Sequence, residues 1–335
     1  MAVNLKQVAE LSGVSVRTVS NVVNGYQYVA PETRQRVQKA IDALGYRPNA
    51  AARSLRTGRT GLLALVVPAL DQPYFAELAR AVVHHATAAG YTVVLDQTDA
   101  DRDRELDLLS GQPGRTMFDG LILNPLTLTS ADIPESPTRP IVLLGERAIA
   151  TSADHVHIDN VAAARTATEH LIAGGRRNVA VIGTQDIPSG QSARLRLQGA
   201  MIALAEAGLT AHPDLLRPSD AYTRTAGYRA MQEILDGGRP VDAVFCFNDS
   251  MAIGALRALR ERGVRVPDDV AVVGFDDIEE GQFSAPPLTT VKPDKDAIAR
   301  IAVERLVARI GGEAESGQEI EVGFELVVRD STGPA

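Results

Sequence analysis

Through the first 45 residues apolar positions recur every three or four places; beyond residue 60 they gather into short continuous runs. The first pattern predicts helices, and the second predicts strands buried on both faces. In NLKQVAELSGVSVRTVSNVVN, residues 4–24, the period predicts two short helices joined by a tight turn at Gly13. Asn4 and Gln7 have the spacing of a capping box, and Val3 and Val8 that of its hydrophobic staple. Ser15 caps the second helix, where Val14 and Val19 repeat the staple. Val19, Val22 and Val23 form the apolar stripe of that helix; Val16, Arg17, Ser20 and Asn21 lie on its other faces. A third helix is predicted from Pro31 to about Leu44, with Val37, Ala40, Ile41 and Leu44 as its stripe and Gly45 as its stop. Ala30 stands at the N-cap, where Ser or Asp would be better by roughly 1 kcal/mol. A short helix with one buried stripe and a small polar face suits the major groove of DNA. An ordinary helical hairpin would show the same pattern.

Residues 47–59, RPNAAARSLRTGR, hold four arginines and no acid. Asn49 can cap a helix of about two turns ending at Gly58, too short to persist alone in water. It would form only with a supporting partner; otherwise the segment is a flexible linker. From Gly61 onward the runs LLALVV, TVVLD, GLILN and PIVLLG alternate with helical stretches, and NVAVIG, AVFCF and VAVVGF begin a second such series. This alternation predicts parallel βαβ units in two α/β lobes, with a ligand held at the carboxyl ends of the strands in the cleft between them.

Charge sharpens this division. The whole chain of 335 residues carries −8, which would argue against nucleic acid. Residues 1–60, however, hold nine Lys/Arg against three Asp/Glu, while residues 61–335 hold 25 against 39. A basic head on an acidic body places a nucleic-acid contact in the head. Cys246 is the sole cysteine, which excludes an intramolecular disulfide and a paired thiolate metal site. Without an apolar leader or a run long enough to span a bilayer, a reducing cytoplasm is the expected compartment.

The order of motifs resembles the lactose-repressor (LacI/GalR) family of bacterial regulators along essentially the whole chain. Its marks are VAELSGVSVRTVSNVVNG, VAPETRQRV, GYRPNAAARSL, DQPYFAELA, IDNVAAA, SARLRLQG, FNDSMAIGAL, VPDDVAVVGFDD and PPLTTV. The resemblance implies an α/β protein with an all-α helix-turn-helix head, residues 1–46, a hinge helix, residues 47–59, and a two-lobed periplasmic-binding-protein-like core with parallel sheets, residues 60–330. The N-lobe would span about 60–160 and 291–320, and the C-lobe about 161–290 and 321–330. A homodimer would read a near-palindromic operator. With no heptads after Arg329, no tetramerisation helix is expected. The implied function is transcriptional regulation, usually repression, under a small-molecule effector.

By this resemblance Val16, Arg17 and Asn21 face base edges, and Arg17 can bond guanine through two parallel hydrogen bonds. Ser20, Asn24, Thr33 and Arg34 touch phosphates, with Asn4, Ser15 and Thr18 at the same surface. Leu55, with Ala52 one turn earlier, would wedge into the minor groove at the operator centre; packing against the core is the alternative. Tyr74, Phe75 and Tyr222 match aromatic pocket positions, Arg196, Asn248 and Asp276 match polar positions of the second lobe, and Asp71, Asn124 and Glu146 are further first-lobe candidates. Aromatic faces beside paired donors and acceptors suit a sugar, and the same set could hold a nucleobase or nucleoside. Arg196 and Asp276 could instead make an inter-strand ion pair.

Two other classes compete with this reading. An enzyme is disfavoured by the lack of Walker A, nucleotide-binding GxGxxG or GxSxG motifs. A solute-binding transport protein would share the two-lobed body but not the basic head. His155-x-His157-x-Asp159 alternates on one strand face as metal ligands can; it is read here as a strand leading to a helix cap at Asp159 or Asn160. No cofactor and no metal are expected.

Overall fold

The computed structural model describes residues 3–333 apart from residue 24, residues 48–57, residues 111–117, residue 136, residues 147–152 and residues 314–315. The chain divides into two compact units, Met1–Thr60 and Gly61–Ala335.

The first unit is built from α1 (Leu5–Ser12), α2 (Val16–Val23) and α3 (Pro31–Leu44). Asn4 closes its capping box: its side-chain oxygen accepts from the amides of Lys6 and Gln7, and the Gln7 side chain accepts from the Asn4 amide at 3.0 Å. Gly13 takes the left-handed conformation at φ 63°, which turns the chain directly into the next helix. The Ser15 hydroxyl accepts from the Thr18 amide at 3.1 Å and caps α2. Val8, Val19, Val22, Val37 and Ala40 then meet in one small core, with Val3, Val14, Ile41 and Leu44 packed against it. Ala30 makes no capping bond, and Gly45 ends α3 at φ 60°.

The second unit holds two six-stranded sheets among the described residues. In chain order its elements are β1 (Leu62–Val67), α4 (Pro73–Ala88), β2 (Thr92–Gln97), α5 (Arg102–Leu109), β3 (Gly120–Leu123), β4 (Ile141–Leu144) and β5 (Asp154–His157). There follow α6 (Asn160–Ala173), β6 (Val179–Thr184), α7 (Gln191–Glu206), β7 (Leu216–Pro218), α8 (Arg224–Asp236), β8 (Ala243–Cys246), α9 (Asp249–Glu261), β9 (Ala271–Phe275) and α10 (Glu279–Gln282). The last elements are β10 (Thr289–Pro293), α11 (Lys295–Gly311), β11 (Glu319–Glu321) and β12 (Phe324–Val327). The first sheet runs β11-β5-β4-β3-β1-β2 and the second β12-β10-β9-β8-β6-β7. Their central strands are buried at nearly every position, as apolar runs covered by helices on both faces must be. In the second lobe α8 and α9 pack backbone against backbone: a Cβ on Gly254 would stand 2.0 Å from the Arg224 carbonyl oxygen, and one on Gly227 2.1 Å from that of Met251.

Two features depart from the expectation. The TVVLD run is not buried on both faces: β2 is an edge strand, with Val94 45% and Leu95 44% exposed. The second sheet is not wholly parallel, since β12 pairs antiparallel with β10. The lobes are joined by three crossings, after Ile158, after Pro293 and at Val322–Gly323. The return to the first lobe thus begins just beyond β10 and not at Val291, which belongs to the second sheet.

Asp154 secures that return. Fully buried on β5, it accepts from the guanidinium groups of Arg305 and Arg309 on α11 and from the amide of Gln318 just before β11. Burial pushes its carboxyl up, and these charge-assisted bonds outweigh burial and hold it below the usual aspartate range. Removing one member of such a buried group leaves the rest unpaired, so Asp154→Ala should cost about 3 kcal/mol. Urea unfolding of the full chain checks this; a loss under about 1 kcal/mol would place Asp154 with ordinary surface ion pairs.

Candidate functional sites

On the first unit, α2 buries Val19 and Val22 and leaves Val16, 44% exposed, and Arg17 open at its N-terminal end. Asn21 and Ser20 are half-buried beside them. Asn4, Ser15 and Thr18 all have capping work in addition to any ligand: the Ser15 and Thr18 hydroxyls lie 2.9 Å apart. Arg34 is partly committed as well, because its Nη2 donates to the Tyr26 carbonyl at 2.7 Å and fixes the turn between α2 and α3. Thr33 is half-buried one residue earlier on α3. The sequence reading missed Tyr26 and Tyr28, exposed aromatic rings packed edge-on, 5.5 Å between centroids, on that same turn. Their position directly after the α2 polar face was the available signal. Asn24, Ala52 and Leu55, and with them the hinge helix, lie outside the described residues.

On the second unit, eight of the nine candidate effector residues line a single cleft of about 400 Å³: Tyr74, Phe75, Asn124, Glu146, Arg196, Tyr222, Asn248 and Asp276. Asp71 does not; it is exposed on the loop ahead of α4, turned away from the lining that Gln72 reaches. The cleft gathers at the carboxyl ends of parallel strands. Asn124 follows β3, Glu146 follows β4, Asn248 follows β8, and Asp276 follows β9. Gln185, after β6, and Ser192, on the first turn of α7, also line it and were missed. The position of Gln185 one residue beyond the apolar run NVAVIGT would have pointed to it.

Arg196 sits at the centre. It belongs to α7, not to a strand, so the inter-strand ion pair with Asp276 does not form. Only 6% exposed, its Nε donates to the Asn160 side chain at 2.8 Å, and its Nη1 donates to the Phe247 carbonyl. The guanidinium carbon lies over the Phe275 ring, 3.5 Å from its centroid. Its Nη2 faces Glu146 of the first lobe at 3.9 Å, at the limit of an ion pair. The cation is therefore rigidly held on one side and only loosely met on the other.

Asp276 is held by strain and burial together. Its φ is 112°, a conformation L-residues rarely adopt, and its amide donates to the Val291 carbonyl at 2.8 Å. Next to it, buried Asp249 accepts from the Ile278 amide at 2.9 Å and the Thr290 hydroxyl at 2.6 Å, fixing the loop that carries Asp276. Burial pushes the Asp276 carboxyl up to about 7; Arg196 and Lys295 pull it back and the nearby Glu146 and Glu77 push it further. Tyr74 and Tyr222 are kept as phenols, burial raising both hydroxyls, Tyr222 to about 12. Asn248 caps α9 by accepting from the Met251 amide and donates to the Tyr222 carbonyl, so it shapes the wall as well as offering its remaining hydrogen.

Lys295, at the start of α11, bridges the lobes behind the loop that carries Asp276. It pairs with Glu77 on α4 and donates to the carbonyls of Asp276 at 2.7 Å and Asp277 at 3.0 Å.

A folded-state value near 7 for Asp276 against about 3.9 in the unfolded chain means that the folded protein keeps a proton the unfolded chain has lost. Stability is then lost as pH rises from about 4 to 7 and levels off above. Asp276→Asn should lose less stability over that window than the wild type, as chemical denaturation at stepped pH would show. Parallel profiles would contradict the assigned burial of this charge.

The comparisons with known proteins bear on the family of the whole chain. Residues 4–49 match the family model described as bacterial regulatory proteins, lacI family, and residues 168–332 match the periplasmic binding protein-like domain. The chain is 35% identical to the HTH-type transcriptional repressor PurR of Haemophilus influenzae (strain PittEE), over 98% of each chain. It is 34% identical to the transcriptional regulator CelR in a structure of its cellobiose complex, covering 98% of this chain and 99% of that one, with a TM-score of 0.70. Against the lac repressor dimer bound to operator and the anti-inducer ONPF, the TM-score is 0.84 at 29% identity, with 100% of both chains covered. With a helix-turn-helix head, two α/β lobes around a polar cleft and relatives matched from end to end, the chain belongs to the lacI family of bacterial regulatory proteins.

Proposed function

We propose that this protein is a cytoplasmic transcriptional repressor that reads a near-palindromic operator as a homodimer and is controlled by a sugar bound in the cleft. The observation that carries the effector half is the buried guanidinium of Arg196, 3.9 Å from Glu146, in a cleft also lined by Asp276, Tyr74 and Tyr222. A sugar presents neighbouring hydroxyls that can accept from the arginine and donate to the acids, and apolar C–H faces that pack on the rings. The likeness to the CelR–cellobiose complex supports this class. The aromatic rings of the lining also favour a second reading, a nucleobase or nucleoside stacked on one of them.

The DNA half rests on the exposed N-terminal end of α2, with Arg17 and Val16 as readers of base edges. A homodimer is supported by the uncovered apolar edge of the first lobe, where Val94 and Leu95 on β2 stand open, and Val83 on α4 is also exposed.

Two measurements test the reading. Binding of the full chain to every single-base variant of its operator, for wild type and Arg17→Ala, should show a loss of about 1–3 kcal/mol of discrimination at one base pair of each half-site. A uniform loss at every variant would make Arg17 a phosphate contact. For the cleft, calorimetry against cellobiose, other sugars and purine bases should find a ligand whose affinity falls by more than about tenfold (1.4 kcal/mol) in Arg196→Ala while operator affinity is kept. Unchanged ligand affinity in that variant would remove Arg196 from the site.

A further inference from the structure

The alternating histidines of β5 find a third partner that their own segment does not contain. Strand β11 pairs parallel with β5 so that Glu319 lies beside His155 and Glu321 beside His157. Parallel partners share a face, so these side chains rise from one side of the sheet at its edge. One ligand atom each from His155, His157 and Glu319 lies within 4.8 Å of the others.

The hydrogen bonds decide what this cluster can hold. His155 Nε2 stands 2.8 Å from the Gly145 carbonyl oxygen. A carbonyl only accepts, so the ring hydrogen is on Nε2, and Nδ1 carries a lone pair. That lone pair faces Glu319 Oε1 at 3.3 Å, acceptor against acceptor. Either a second ring proton or a metal cation between them removes this repulsion. Two ligand atoms at about 2.0 Å from a tetrahedral zinc ion stand roughly 3.3 Å apart, the separation found here. A second proton on His155 would settle that pair but leave His157 idle. The His157 ring stacks on that of His155, 4.9 Å between centroids and 21° between planes, and its Nδ1 lies 3.4 Å from the Ile158 carbonyl, leaving Nε2 the lone pair. The Gly145 bond is also the outer hydrogen bond that orients a metal-bound imidazole and fixes its tautomer.

We propose that His155, His157 and Glu319 form a binding site for a divalent transition-metal cation of the zinc class, with a fourth position open to solvent. Its place in the fold gives it a consequence. His157 immediately precedes the first crossing between the lobes, and β11 immediately precedes the third; the Val322 amide donates to the His157 carbonyl at 2.7 Å. A bound cation ties these two crossings together and favours whichever lobe arrangement keeps them in register.

The test uses the full chain, stripped with a chelator and titrated with zinc chloride by calorimetry, with cobalt(II) as a spectroscopic substitute. Wild type should bind one high-affinity equivalent per chain, gain thermal stability, and give the intense visible bands of a cobalt ion with fewer than six ligands. Glu319→Gln and His157→Ala change side chains at the sheet edge and should each weaken zinc binding at least tenfold while melting normally without metal. No uptake by wild type, weak six-coordinate cobalt bands, or equal uptake by wild type and both variants would overturn the site; equal uptake would assign the metal to other histidines, such as the adjacent pair His84 and His85.

Discussion

The second unit is arranged around one buried cation. Taking the Arg196 guanidinium out of water is expensive unless every donor finds an acceptor. Three elements of its own lobe meet part of this demand: the first residue of α6, Asn160, the Phe247 carbonyl just after β8, and the ring of Phe275 on β9. The Nη2 group is left to face Glu146, across the cleft and at 3.9 Å. An effector oxygen placed between them would complete the shell of the cation and draw on acids from both lobes. Ligand binding there would couple to lobe position through the same charge.

How such coupling could travel is visible in the lobe junction. Lys295 holds Glu77 of the first lobe and the carbonyls of Asp276 and Asp277 of the second, so movement of the loop that carries Asp276 is felt at the start of α11. Asp154 anchors the same helix further along, through Arg305 and Arg309. Between these two points α11 spans the return of the chain into the first lobe. A ligand can shift this equilibrium only by binding one arrangement better than the other.

Much of this was legible from residue pattern alone, for reasons that are local. The Asn4–Gln7 box, the Gly13 turn and the Ser15 cap are short-range geometries that four or five residues determine. The cleft residues were legible because parallel strands deliver whatever follows their apolar runs to one rim, as Asn124, Asn248 and Asp276 show. What pattern could not supply was long-range or surface-dependent. TVVLD looks as apolar as the central strands, and nothing in it says that β2 lies at an edge. Asp71 is one residue short of the cleft, a difference of chain direction rather than composition. The third partner of the histidine pair comes from β11, 164 residues after His155, where only the sheet order brings it near.

If the cleft and the DNA-reading head share one equilibrium, a cleft ligand and the operator must act on each other reciprocally. The affinity of a cleft ligand is measured by calorimetry with the operator absent and then saturating, and the operator affinity is measured with that ligand absent and saturating. Both affinities should change, in the same direction and by the same factor. A ligand that binds the cleft with one affinity whether or not the operator is present would contradict it.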